Sequence, residues 1–478
     1  MVFSLFHWVR WFFSSSRRFL IVNGPAMGLL IVIVYKGQLL ADVMGDERDR
    51  GLPEWLRFSG EFRTRVSGLD GQFRSGLSGG DQVLATRTLI QTELDIRSLT
   101  IGAELEDSRH FLDDAGSPLN TGMVNTWEPL QAYLRWDGSQ YFSGAEEASL
   151  SLGRQTLDFG SRRLVARNRF RNTINSFNGL RAVWRGQSGQ EISGFYFLPV
   201  HRRPSDRRSM DSLETRLDEE SFSDSFWGLS YERPVGLAGA NVQVYLLGLD
   251  EEDRLDRPTR NRKLLTPGIR FERAPRPGSW DFDVESVWQL GTSRASRRVD
   301  DVETLDHFAQ FYHASLAYTV DMPWQLRLGV QYDYASGDRS RSDSSNNRFD
   351  TLFGARRFEH GPTGIFGAFA RSNIHSPGYR VVLKPVADWE VMTSHRFYWL
   401  ASSRDVWTTS GLWDPSGEAG AYLGHQFEVR VRWSGLRDRL RMEAGVALLF
   451  AGAFVEKAPN RTNQGDSRFG YLQASISF

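Results

Sequence analysis

The stretch Ser149–Arg185 reads SLSLGRQTLDFGSRRLVARNRFRNTINSFNGLRAVWR. It opens with alternating apolar and polar residues, passes through an arginine-dense insert, and closes on a second alternating segment. Alternation is the period of a strand, whose successive side chains point to opposite faces. Arg162, Arg163, Arg167, Arg169 and Arg171 therefore sit on a connection between two strands, forming a cationic loop at one end of a hairpin.

The same alternation runs outward along the chain in both directions. Leu56, Phe58, Phe62 and Val66 share one face, and Arg57, Glu61, Arg63 and Arg65 the other. Trp280, Phe282, Val284 and Trp288 oppose Asp281, Asp283 and Glu285. Trp324, Leu326, Leu328, Val330 and Tyr332 oppose Gln325, Arg327, Gln331 and Asp333. No segment beyond the N-terminal region holds a helical stripe. The alternating segments run to about ten residues or more, the length a tilted strand needs to cross a bilayer. Tryptophans recur near segment ends, at Trp55, Trp136, Trp184, Trp227, Trp280, Trp324 and Trp433, where a membrane interface places amphipathic rings.

Connector lengths supply the topology. From Trp55 onward, long connectors near 68–83, 109–126, 157–175, 201–221, 251–264, 292–306, 336–373, 402–419 and 452–465 alternate with short ones, many of them holding Gly, Pro or Asp. That alternation predicts an all-β transmembrane antiparallel barrel of 18 strands, or of 16 if two boundaries merge, with short periplasmic turns and long extracellular loops. The final segment alternates through Leu472, Ala474 and Ile476 to Phe478, as a closing strand does.

Composition narrows the chemistry. Cysteine is absent, which excludes disulfides, thiolate nucleophiles and cysteine metal sites. Acidic and basic residues balance at 58 each. Only Lys36, Lys263, Lys384 and Lys457 among the basic residues are lysines, so the positive charge is carried by guanidiniums, which bind carboxylates through a rigid fork. Biased codon usage is the plain alternative for that excess. The nine histidines are scattered, and no Ser–His pairing, metal-ligand spacing or phosphate-binding loop stands out. Enzymatic activity, a cofactor, a resident metal and nucleic-acid binding are accordingly not expected.

Residues 1–41 read as a targeting segment: Arg17 and Arg18, an apolar run from Phe19 to Tyr35, and Ala41 before Asp42. An uncleaved anchor is the alternative. Residues 42–54 form a short periplasmic lead-in, and 55–478 the barrel.

By parity the lumen wall carries Arg63, Arg65, Arg135, Arg181, Arg327 and Arg430, together with the acidic strip Asp281–Glu285. With Arg163 of the cationic insert, these arginines outline a pathway for an anion. Arg154 joins them only if Gly153 sits at a bulge or the strand has already left the membrane, because strict alternation points it at lipid. A general porin for the uptake of sugars or anions is the competing reading, and paired charges that merely keep the wall wet are the plain one.

Leu152-Gly153-Arg154-Gln155, Asp158-Phe159-Gly160-Ser161-Arg162-Arg163-Leu164 and Ser176-Phe177-Asn178-Gly179 resemble the alginate export family. So do Arg63-Thr64-Arg65, Glu106-Asp107-Ser108-Arg109, Gln131-Ala132-Tyr133-Leu134 and Leu423-Gly424-His425-Gln426-Phe427-Glu428. The resemblance implies an outer-membrane barrel of 18 strands that passes alginate or a similar polyuronate through an arginine-rich constriction. It also implies inward-folded loops and a periplasmic scaffold protein that delivers polymer to a monomeric barrel. On this reading the cationic insert 157–175 folds into the mouth.

Overall fold

The computed structural model describes residues 52–478 apart from 237–238, 255–256, 299 and 464. The expected targeting segment and most of the lead-in lie outside the described residues. The strands run in chain order as β1 (Leu56–Asp70), β2 (Gly80–Ile96), β3 (Leu99–Phe111), β4 (Asn125–Asp137), β5 (Ala145–Gln155), β6 (Phe177–Gly186), β7 (Glu191–Pro199), β8 (Asp224–Val235), β9 (Ala240–Glu251) and β10 (Lys263–Arg273). They continue as β11 (Ser279–Ser293), β12 (Leu305–Thr319), β13 (Arg327–Ala335), β14 (Ser345–Asn346), β15 (Ile374–Leu383), β16 (Trp389–Trp399), β17 (Tyr422–Gly435), β18 (Leu440–Ala451) and β19 (Ser467–Ser477). The two-residue β14 belongs to a loop and lies parallel to β12. The other eighteen are the staves of one antiparallel sheet, closed where β1 pairs with β19. Closure removes the sheet edges, which would otherwise present rows of unpaired backbone groups to lipid.

The long and short connectors fall where the alternation predicts. Arg97 and Ser98 join β2 to β3, whereas β13 and β15 are separated by residues 336–373. Closure ends on Phe478, whose backbone exchanges hydrogen bonds with Gly60 at 2.8 and 3.1 Å. Trp55, Trp136, Trp280 and Trp324 are exposed at the short-turn ends of the staves. There they form the interfacial belt of a membrane barrel, while Leu152, Leu180, Leu316 and Val330 stand exposed along the outer wall between the ends.

The extracellular half of the lumen is filled. Two loops, 156–176 and 336–373, enter it and pair with each other through backbone hydrogen bonds. Phe353 N donates to Leu164 O at 2.9 Å, Ala166 N to Phe353 O at 3.2 Å, and Ala355 N to Arg162 O at 3.0 Å. Val165 bridges Phe353 in a parallel sense. Around this ladder Phe349, Phe366 and Phe369 of the second loop pack with wall residues Phe177, Phe197, Phe226 and Phe311 in one apolar cluster. Both loops were long enough in sequence to be noticed, but only the first carried a signal for entering the mouth.

Gly153 settles the position of Arg154. Its φ is +118°, and a Cβ there would lie 2.3 Å from Ala132 O, so only glycine fits. The pairing of β5 with β4 and with β6 keeps its register through this point, so the expected bulge at Gly153 is not the answer. The register shift nearby is on β4, between the partners of Glu104 and Leu105. Arg154 is the penultimate residue of β5, at the extracellular rim, and its guanidinium binds Glu128 and, at 2.8 Å, Glu220. The cost of a charge in lipid does not arise.

Candidate functional site: the arginines of the lumen

The arginines predicted to line a pathway divide by what they touch. Arg63 and Arg65 alternate inward on β1 as expected, yet both are buried against the inserted loop. Arg63 donates to the carbonyls of Arg169 and Arg171 at 2.7 and 3.1 Å and to Asn172 Oδ1 at 2.8 Å. Arg65 donates to Phe170 O at 2.8 Å and stacks its guanidinium 3.8 Å from the centre of the Phe170 ring. Arg87 of β2, which parity did not single out, joins them on the same carbonyls. Asn172 completes the dock by donating to Thr86 O, Arg109 O and Met123 O. These cations hold the loop 156–176 by its backbone.

Arg163 has a different role. It reaches from the loop to the acidic strip, binding Glu285 at 2.7 Å and Asp283 at 2.8 Å, and Glu359 of the second loop at 3.1 Å. The acidic strip is neutralised by Arg163, by Arg270 on Asp283, and by Arg327 on Asp281. Glu359 lies on the short helix α2 (Arg357–His360); α1 (Arg207–Asp211) belongs to the loop 200–223, and α3 (Ala453–Lys457) to the loop 452–466. Burial alone would raise the Glu359 carboxyl, but Arg371 and Arg163 outweigh it and hold it below the usual range.

The same holds at a second anchor. Asp350 accepts from Arg262 at 2.8 Å, and its backbone pairs with the Gln289 amide. Burial pushes its carboxyl up, while Arg262 pulls it down to about 2. A depressed carboxyl contributes stability that is complete above its unfolded value, near 4, and is lost as the pH falls through the folded one. The inserted loops are therefore expected to loosen between about pH 4 and pH 2. Hydrogen exchange across 336–373 at pH 5 and pH 2.5 checks this, with faster exchange at the lower pH.

Below the plug the wall is charged. A cavity of about 240 Å³ opens there, lined by Arg163, Arg270, Asp283, Arg327, Glu359 and Arg380 among others. Arg380 donates to Phe358 O on the plug and has no carboxylate within ion-pair distance among the described residues. Its parity, shared with Ser376 and Gly378, was the signal that could have found it. Across the ring, Arg135 and Arg181 flank Ser151 in one row of the sheet, two strand spacings or roughly 10 Å apart. Both are half-buried, with no ion pair among the described residues. β5, which carries Ser151, stands diametrically opposite the stave of Arg380.

Several other lumen arginines are paired near the periplasmic ends. Arg57 binds Glu93 at 2.7 Å, Arg185 binds Glu191 at 2.6 Å, and Arg430 binds Glu390 at 2.7 Å. The side chains of Arg57 and Arg185 are 42% and 43% exposed, against 5% for Arg163. Exposed pairs are worth about 1 kcal/mol or less and exchange partners readily, whereas breaking a buried pair costs about 3–5 kcal/mol. The arrangement separates fixed arginines, which build the plug, from exchangeable or unpaired ones, which face the periplasmic vestibule.

Comparison with known proteins agrees with this architecture. The fold is similar to OpdQ of Pseudomonas aeruginosa (TM-score 0.55, 13% identity, 88% of this chain and 97% of that one). It is equally similar to OpdK of P. aeruginosa, solved with vanillate (0.56, 13%, 90% and 100%), and to OccAB3 of Acinetobacter baumannii (0.55, 12%, 88% and 99%). No curated protein matches the sequence. The sequence profile of the alginate export family matches residues 54–467. A closed barrel of eighteen staves, with a belt of tryptophans and a charged lumen, is a channel of the Gram-negative outer membrane, and the chain belongs to the alginate export family.

Proposed function

We propose that this channel exports an anionic polysaccharide, alginate or a similar polyuronate, from the periplasm to the exterior. One observation carries the reading: Arg135 and Arg181 on one wall and Arg380 on the opposite wall stand without carboxylate partners below the plug. A polymer with a carboxylate on each sugar is attracted by such a vestibule and passes from one guanidinium to the next, because no single site holds it tightly. The half-exposed pairs of Arg57 and Arg185 extend the path by exchange. Arg63, Arg65, Arg154 and Arg163 act here as the frame of the constriction, and Arg327 and Arg430 as its paired floor. A periplasmic scaffold that hands over the polymer fits an entrance of this charge.

Uptake of small carboxylates is the second reading, favoured by the likeness in fold to OpdK, which was solved with the carboxylate vanillate. Planar-bilayer recordings separate the two. Uronate oligomers added from the periplasmic side are expected to block the anion-selective current in proportion to their length. Replacing Arg135, Arg181 and Arg380 by alanine should abolish both the block and the selectivity. Equal block by monomeric and oligomeric uronates would support uptake instead, and a cation-selective channel indifferent to uronates would sink both readings.

A further inference from the structure

At the extracellular mouth, three ligand-type side chains from two separate parts of the chain meet. His110 is the penultimate residue of β3, Asp113 follows on the next loop, and Asp211 ends α1 in the loop 200–223. One ligand atom from each lies within 4.8 Å of the other two.

The histidine is the unusual member. It is only 4% exposed, and neither ring nitrogen has a hydrogen-bond partner. Nδ1 does lie 2.9 Å from Asp113 Oδ1, but not in the direction a hydrogen bond requires. A carboxylate oxygen close to a ring nitrogen yet off its axis is placed as two ligands of one ion are placed. Most buried imidazole nitrogens in proteins find partners, and His110 shares their absence here with His360, which has no carboxylate in contact with its ring among the described residues.

Arg207 is the only cation in ion-pair contact with these carboxylates among the described residues. Its guanidinium binds Asp113 Oδ2 at 2.9 Å and Asp211 at 2.8 Å, and donates to Ser117 O at 2.6 Å. One guanidinium against two carboxylates leaves a net negative charge; its Nε lies on both oxygens of Asp211 and its hydrogen bond to Asp113 goes to Oδ2, while Oδ1 is the oxygen turned towards His110.

We infer that His110, Asp113 and Asp211 form a divalent-metal site of zinc type that clamps two extracellular loops together. One imidazole nitrogen with two carboxylate oxygens is a donor set that zinc accepts at about 2.0–2.2 Å, with a water completing the tetrahedron. Calcium prefers six to eight oxygens, which these residues do not supply. Closing the three atoms onto one ion requires a small inward shift of α1, whose end is exposed. The clamp would also brace the plug, because Arg202 of the same loop donates to Ile174 O at 3.1 Å and Asn175 Oδ1 at 3.0 Å.

The test uses the whole barrel in detergent, freed of metal by a chelator and titrated with zinc chloride in a calorimeter. One zinc per chain should bind, and zinc should slow proteolysis within 200–223. His110→Gln should weaken binding about tenfold or more. So should Asp211→Asn, an exposed position whose change leaves the barrel intact. Failure of the native chain to bind zinc, or binding unchanged in both variants, would overturn the site.

Discussion

Replacing residues 338–371 with a short glycine-rich turn is expected to raise single-channel conductance severalfold while leaving the barrel assembled. The geometry permits the deletion, since Ala335 and Ile374 are already paired across β13 and β15 and a tight turn can join them. The reason for the size of the effect is that the segment supplies Phe349, Phe366 and Phe369 to the cluster that fills the extracellular lumen. An eighteen-stave barrel without such filling holds an aqueous channel. The barrel itself should survive, because its staves are held by their own backbone ladders and the lipid-facing wall. Bilayer recordings give the conductance and gel mobility before and after heating reports folding. Unchanged conductance would mean that ions already bypass the loop.

The second large effect concerns Arg163. Its replacement by alanine leaves Asp283, Glu285 and Glu359 facing one another with one guanidinium fewer between them. Breaking a buried ion pair in this way costs about 3–5 kcal/mol, here borne by the docking of the loops. Arg270 still neutralises Asp283, and Arg371 still binds Glu359, so Glu285 is the residue left most exposed to the loss. Hydrogen exchange should rise across both 156–176 and 336–373, since Leu164 and Phe353 share a backbone ladder. Exchange confined to the first loop would show that the two loops dock independently.

How much of this was legible in the sequence follows from the physics of each feature. The staves and their order were readable because a lipid-facing wall enforces a strict period of two, and because connectors differ in length on the two sides. Arg63 was readable as inward, but its partner was not. The carbonyls it binds arrive on a loop more than a hundred residues away, and nothing local announces them. The acidic strip at Asp281–Glu285 was readable as lumen-facing, but its partner Arg163 was not, because it comes from that same loop. Arg154 defeated parity because Gly153 takes a conformation closed to other residues and because the rim, unlike the mid-membrane wall, tolerates charge. Arg380 was missed although it keeps parity with Ser376 on the stave that follows the long connector 336–373. The second inserted loop had length alone to mark it, and length does not state direction.

The way Arg63 and Arg87 grip their loop has an evolutionary consequence. Both bind main-chain carbonyls at residues 169 and 171 and so, apart from the bond of Arg63 to Asn172 Oδ1, recognise the path of the chain rather than the side chains it carries. The Arg169 side chain, 73% exposed, is correspondingly free to drift. Relatives can thus retune what the loop presents to a passing solute without redesigning its mooring, and a single barrel can serve a succession of cargoes.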